Sequence, residues 1–484
     1  MAITIMKTPL NKVGPAGQDW NFVVTSTNVA LPKFKYIVDV HIYNFSASNV
    51  IDARLKISPA IFGYGNVNIR DILEQHVQTD NLGSTGQSGF EPKFKGHSQT
   101  WTFNHYDTIP IHLIDQWSLN NYNMVRFDVR FGEMYAPTAT DPAVIYPDLI
   151  RHNEMACWNG TVPNNAQRNS HAYGGTGTFT GGVELQTFLP LYGGPFFPNQ
   201  PSAHFLSNAP TTQYVRDGDY MTVGTLSGLQ NGVNATWDRM RIEINGQTID
   251  MTDSMYDGST DSTMTSSYKM LQYFGCGPAN LINNATFNIQ WITNNATEYT
   301  IGLHNGSGYK SLQYTFKRME DDCKGYESIR LCWVNRHGTW DYYNFTKKSY
   351  RELDIKRENT EQARGSQVLW MQVLPTHRSN NTINVSAKET ITVNTDWVDD
   401  ATSVWLEELF TSPTVYILGS YNNADTGADG PGTEFDYTRG VTLSTNRYER
   451  YTRANDKVAQ YEIELEVDGY VNVQQNQLSS LNIQ

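Results

Sequence analysis

The chain has 484 residues, with 36 Lys and Arg against 49 Asp and Glu, a formal net charge of −13 and a pI near 5.3. That balance opposes nucleic acid as a partner, because phosphate binding draws on clustered Lys and Arg. Charged residues make up only 18%, and Asn, Thr, Ser, Gly and Tyr fill the difference, so strands and turns should outnumber helices.

The length predicts several domains, each able to bury a core. The start, MAITIMKTPLNKVGPAG, has no charged segment leading into an apolar run, and no 18-residue apolar stretch occurs. A soluble protein made in a cytoplasm, without membrane insertion, is expected. Cys157, Cys276, Cys323 and Cys332 sit too far apart for a metal or redox motif. Free thiols are the expectation, and a Cys323 to Cys332 pairing stays open.

Residues 1–19 read as an N-terminal arm, kept irregular by Pro9, Gly14, Pro15 and Gly17. Residues 20–150 read as an N-terminal β domain with one helix. NFVVTST and FKYIVDVHIYN alternate as strands, Ile69, Ile72, Leu73 and Val77 have helical spacing behind Asn68, and MVRFDVRFGEMY is a half-buried strand. Residues 151–205 are rich in Gly, Asn and Pro and form an extended segment. Tyr173, Tyr192, Phe196 and Phe197 there are candidates for exposed contacts with a neighbour or a host glycan.

Residues 206–346 read as a central β domain, with turn signals at Asp217-Gly218 and Asn245-Gly246 and strands at Thr286–Thr293 and Ser311–Lys317. The densest signal is IRLCWVNRHGTWDYYNF, Ile329 to Phe345. It alternates, turns at Asn335-Arg336-His337-Gly338 and runs back as a β-hairpin. Its aromatics Trp333, Trp340, Tyr342, Tyr343 and Phe345 suit a core or a subunit seam, and a sugar-stacking platform is the alternative.

Residues 347–388 form a charged connector with strands, in which mixed signs exclude a basic nucleic-acid patch. Residues 389–484 form a C-terminal β domain with one helix, DDATSVWLEELFTSP. Asp399 and Asp400 suit the helix start, Ala401, Val404, Trp405 and Leu409 its apolar stripe, and Pro413 its end. Trp397 and Trp405 join the packing or interface candidates. In the last strand Tyr461, Ile463, Leu465 and Val467 alternate with Glu462, Glu464 and Glu466. The fold class is therefore mainly β, several antiparallel β-sandwich-like domains with two short helices.

The histidines are scattered, with His97, His105 and His112 the nearest grouping, and Asp425–Asp436 lacks the final Glu of a calcium loop. No nucleophile, phosphate-loop or HExxH motif occurs. No catalytic, metal-binding or cofactor-binding residue is assigned, and no cofactor is expected.

Three long patterns, NFVVTSTNVALPKFKYIVDVHI with RLKISPAIFGYGNVNIRDILE, FLSNAPTTQYVRDGDYMTV through LCWVNRHGTWDYYNFTKKS, and ETITVNTDWVDDATSVWLEELFTSPTVYIL, carry a resemblance. They resemble structural proteins of tailed-bacteriophage virions, particularly those of marine and Bacteroidetes phages. The resemblance implies a non-enzymatic part of the tail, baseplate or neck, with capsid decoration a variant. Its partners would be copies of itself and other virion proteins. A host-glycan receptor-binding protein and a polysaccharide depolymerase are the rival readings.

Overall fold

The computed structural model describes residues 3–9, 13–43, 53–79, 82–84, 108–113, 117–119, 124–146, 149–152, 155–161, 171–173, 205–226, 239–252, 271–282, 284–304, 306–319, 326, 328–361, 380–418, 438–445, 447–448 and 458–467. These residues form mainly β structure, in antiparallel sheets with two parallel pairings. The chain parts into two compact units, Met1–Glu320 with Val334–Asp341, and Asp321–Trp333 with Tyr342–Gln484. This division does not follow the expected segment boundaries, because strands pair across them: Leu82–Ser84, Thr108–Pro110 and Trp117–Leu119 share a sheet with Thr222–Leu226 and Leu271–Gly275.

The first unit opens with two facing sheets. One runs His171–Tyr173, Ile3–Pro9, Asn21–Ser26, Gly65–Asn68, and the other Val13–Gly17, Met155–Thr161, Met124–Tyr135, Lys35–Tyr43, Ala53–Ile57. Residues 1–19, expected as an irregular arm, thus supply a strand to each. Alternation decides which side chains meet: Tyr36, Val38 and Val40 from one strand and Phe127, Val129 and Phe131 from its neighbour point into a shared core with Trp20 and Phe22. Trp20 sits edge-on to Phe127 at 5.1 Å between ring centres and donates its indole N–H to the Pro15 carbonyl at 3.1 Å.

The opposite face of the second sheet carries charge. Buried Asp39 takes two hydrogen bonds of 2.6 Å from Arg54, and buried Asp128 accepts from Arg130 at 3.1 Å and Arg151 at 2.8 Å. Each carboxylate is compensated as burial demands.

The helix expected over Ile69–Val77 is shorter, Arg70–Glu74. Asn68 Oδ1 accepts from both Trp20 N–H and Arg70 N–H, at 3.1 Å each, which ties the start to the preceding strand. The end tightens, with Gln75 N–H on the Ile72 carbonyl and His76 N–H on that of Leu73, so the helix closes after little more than a turn.

A third sheet of this unit runs Thr212–Val215, Tyr314–Arg318, Glu298–His304, Arg239–Ile244, Gln247–Thr252. Asn245 and Gly246 both have positive φ, 47° and 74°, and Ile244 pairs with Gln247, the two-residue hairpin that Asn-Gly favours. The strand expected at Thr286–Thr293 is instead helical, Ala285–Asn288 continuing into a wider turn over Ile289–Thr293. Asn284 caps it by accepting from Phe287 N–H at 3.1 Å. Phe287 and Trp291 are buried four residues apart while Ile289 between them is 53% exposed, so the period is helical. Both rings pack against Tyr299, 5.2 and 5.3 Å away. A further short helix, Pro278–Leu281, begins at a proline in its first turn.

The second unit is built on a seven-stranded sheet in the order Trp340–Phe345, Ile329–Val334, Val415–Leu418, Thr438–Leu443, Glu462–Val467, Asn380–Asn394, Tyr350–Glu361. The expected alternation of the acidic strand holds: Ile463, Leu465 and Val467 are buried, Glu462 and Glu464 exposed. Helix Asp400–Thr411 starts at Asp399, whose side chain accepts from Thr402 N–H at 2.9 Å. Among the described residues no helix is long and apolar enough to cross a membrane.

Candidate functional site

The aromatic hairpin divides between the units: its turn residues Val334–Asp341 belong to the first and its remaining strand residues to the second. Within the second unit, Ile329–Trp333 is buried on both faces. Trp333 lies 5.1 Å from Trp405, Tyr343 6.1 Å from Trp405 and 4.9 Å from Phe345. Buried Arg330 lies over Tyr342 at 5.3 Å and donates to Asn344 Oδ1 at 3.0 Å. Trp333, Tyr342, Phe345 and Trp405 are buried and Tyr343 is half-buried. Protein neighbours cover Trp333, Tyr342, Phe345 and Trp405, and cover Tyr343 in part.

Within the first unit, the turn is held by a polar network that its sequence does not advertise. Asn335 Nδ2 donates to the Leu206 carbonyl and to Asp341 Oδ1, both at 2.9 Å, while its Oδ1 accepts from the N–H groups of His337 at 3.0 Å and Thr339 at 3.1 Å. The Ser207 hydroxyl donates to Asp341 at 2.7 Å, and the His337 carbonyl accepts the Trp158 indole N–H at 3.0 Å. Trp340 is buried with its ring 4.9 Å from that of His112. Gly338 has φ +77°, and a Cβ there would lie 1.1 Å from the Asn159 carbonyl oxygen. Only glycine fits.

Burial shifts several titratable groups around the hairpin. Burial pushes the thiols of Cys157 and Cys332 up, away from thiolate. Burial, with the Arg336 charge adding to it, pushes the His337 imidazole down to about 3. Burial, with Asp396 and Asp399 nearby, pushes the Tyr343 phenol up. Among the described residues, no group of three His, Cys, Asp or Glu side chains is placed to hold a metal ion.

Exposed apolar side chains gather elsewhere in the second unit. Tyr350–Glu361 and Asn380–Asn394 pair from Tyr350↔Thr392 to Glu361↔Asn380, while Glu462–Val467 reaches only Thr390–Asn394. The remainder is a two-stranded ribbon running roughly 30 Å past the sheet at ~3.3 Å per residue. On one of its faces Leu353 and Ile355 are 47% and 43% exposed, opposite Glu389 and Ala387. Ile383, at the register shift, is 45% exposed. Trp397, a packing candidate, is 65% exposed just before helix Asp400–Thr411, because the short strand Val398–Asp399 sets Val398 inward in its place.

Of the contact segment, only the Tyr173 backbone is described: His171–Tyr173 pairs with Lys7–Pro9. The Tyr173 side chain, Tyr192, Phe196 and Phe197 lie outside the described residues, as do Cys323, His97, His105 and Asp425–Asp436. No protein-family model matches the chain, and no curated protein matches it in sequence.

Proposed function

We propose that the chain is a non-enzymatic structural component of a tailed-phage virion that assembles through its β-sheets in the tail, baseplate or neck. The single observation behind the reading is the ribbon. A two-stranded ribbon is marginal in water unless a third layer covers its apolar face, and this one carries Leu353, Ile355 and Ile383 uncovered by described residues. An arm of that kind suits a protein whose final environment is an assembly. The sequence resemblance to phage virion proteins supports the same reading.

The test is the protein content of purified particles. Particles from a host carrying the phage genome that encodes this chain should contain it at fixed copy number, labelled by an antibody at the tail or neck. Particles that lack the chain overturn the reading.

A further inference from the structure

The ribbon's apolar face continues the core face of its sheet. Ile391 and Val393 are fully buried, and the alternate positions outward along the same face are Glu389, Ala387 and Val385, opposite Leu353, Ile355 and Arg357. Near the sheet, Arg351 and Arg439 close on Glu389 at 2.7 and 3.2 Å. Farther out, Arg357 makes no ion pair among the described residues. Among the described residues the outer half is thus an apolar stripe ending in a cation without an ion pair.

The same unit carries a surface of opposite sign. Trp397 stands exposed at the start of helix Asp400–Thr411, whose outward side shows Ala401 and Val404. Asp396, Asp399 and Asp400, all exposed, flank Trp397 along the chain. Asp396 is held by Lys347 at 3.0 Å and Asp399 caps the helix, while Asp400 makes no ion pair among the described residues.

We infer that the ribbon of one copy docks on the Trp397 surface of a second copy, Leu353, Ile355 and Ile383 covering the partner's Trp397 and Val404, and Arg357 meeting the partner's Asp400. Both sides are apolar at the centre and opposite in charge at the rim, the arrangement that favours one partner over others. The exposed tryptophan supplies the kind of anchor that dominates interface energetics. Two different surfaces meet, so the contact is head-to-tail and propagates into a ring or a filament rather than closing as a two-fold dimer. The inference rests on the assembly reading above and names the surface through which the chain meets its own copies.

Light scattering on the purified full chain over a concentration series tests it. The wild type should form species larger than a dimer. Trp397→Ala and Ile355→Ser, both at exposed positions, should weaken association about tenfold or more with unchanged circular dichroism. Arg357→Glu and Asp400→Lys should each weaken it, and equal amounts of the two single variants mixed should restore species larger than a dimer in which the two variants alternate, because the altered ribbon of the first matches the altered surface of the second and their two unaltered surfaces still match. Assemblies indifferent to all four substitutions overturn the docking surface but leave the virion reading intact, whereas a strictly monomeric wild type overturns the docking surface whatever the particle analysis gives. Absence from particles with intact association removes the virion reading alone.

Discussion

Residues of one type differ in this protein by what touches them. Trp405 is buried against Trp333 and Tyr343, so Trp405→Ala should cost about 3–5 kcal/mol of unfolding free energy in urea titrations. Trp397→Ala, at a 65% exposed position, should stay within about 0.5 kcal/mol in the dissociated chain. His337 offers a second contrast. Its folded pKa of about 3 lies below the ordinary 6.5, so between those values the unfolded chain holds a proton that the folded chain refuses. Stability should therefore fall as pH drops from 6.5 towards 3, and His337→Gln should flatten that part of a midpoint-versus-pH curve. The sequence presented Trp397 and Trp405 as equals, because both are large aromatics within one short stretch, TDWVDDATSVW. Which of them faces inward is settled by the short strand Val398–Asp399, which turns Val398 rather than Trp397 to the interior. Asn335 was legible as a turn residue, but its bonds to Leu206 and Asp341 join positions over a hundred residues apart in one case, and spacing cannot foresee them.

Elements with a long period were readable, and short ones were not. Glu462–Val467 follows its alternation, and Asp400–Thr411 starts at its expected Asp399 cap, but of its expected stripe only Trp405 and Leu409 are buried, with Ser403, Leu406 and Glu408, while Ala401 and Val404 face outward. Asp399→Ala should destabilise the second unit by about 1 kcal/mol, measured by thermal or urea unfolding, since the Thr402 N–H loses its acceptor. The segment around Phe287 misled because residues 287, 289 and 291 alternate in sequence, and the same spacing places Phe287 and Trp291 one helical turn apart. The capping bond from Asn284 and the Tyr299 ring waiting across the core decide for the helix. In the connector, charge alone was visible. That its strands pair from Tyr350↔Thr392 to Glu361↔Asn380, with an apolar face left exposed among the described residues, follows from a register that composition cannot supply.

At the scale of the whole molecule, the expected division by composition gave way to one set by pairing. Gly- and Asn-rich stretches mark surface excursions as readily as boundaries, and sheets here recruit strands from distant parts of the chain. A fragment ending at residue 320 should therefore unfold at lower temperature than the first unit within the full chain, because it lacks Val334–Asp341; a fragment with unchanged melting would refute this. The interleaving of the two units also sets an order of events during synthesis. The first unit cannot close until its last segment has left the ribosome, by which time the opening stretch of the second, Asp321–Trp333, has already emerged. At ~5–20 residues per second the nascent first unit, complete through Glu320, waits about 1–4 s until Asp341 has been added. The Asn335 amide, which bonds the Leu206 carbonyl and Asp341, is then the clasp that marks its completion.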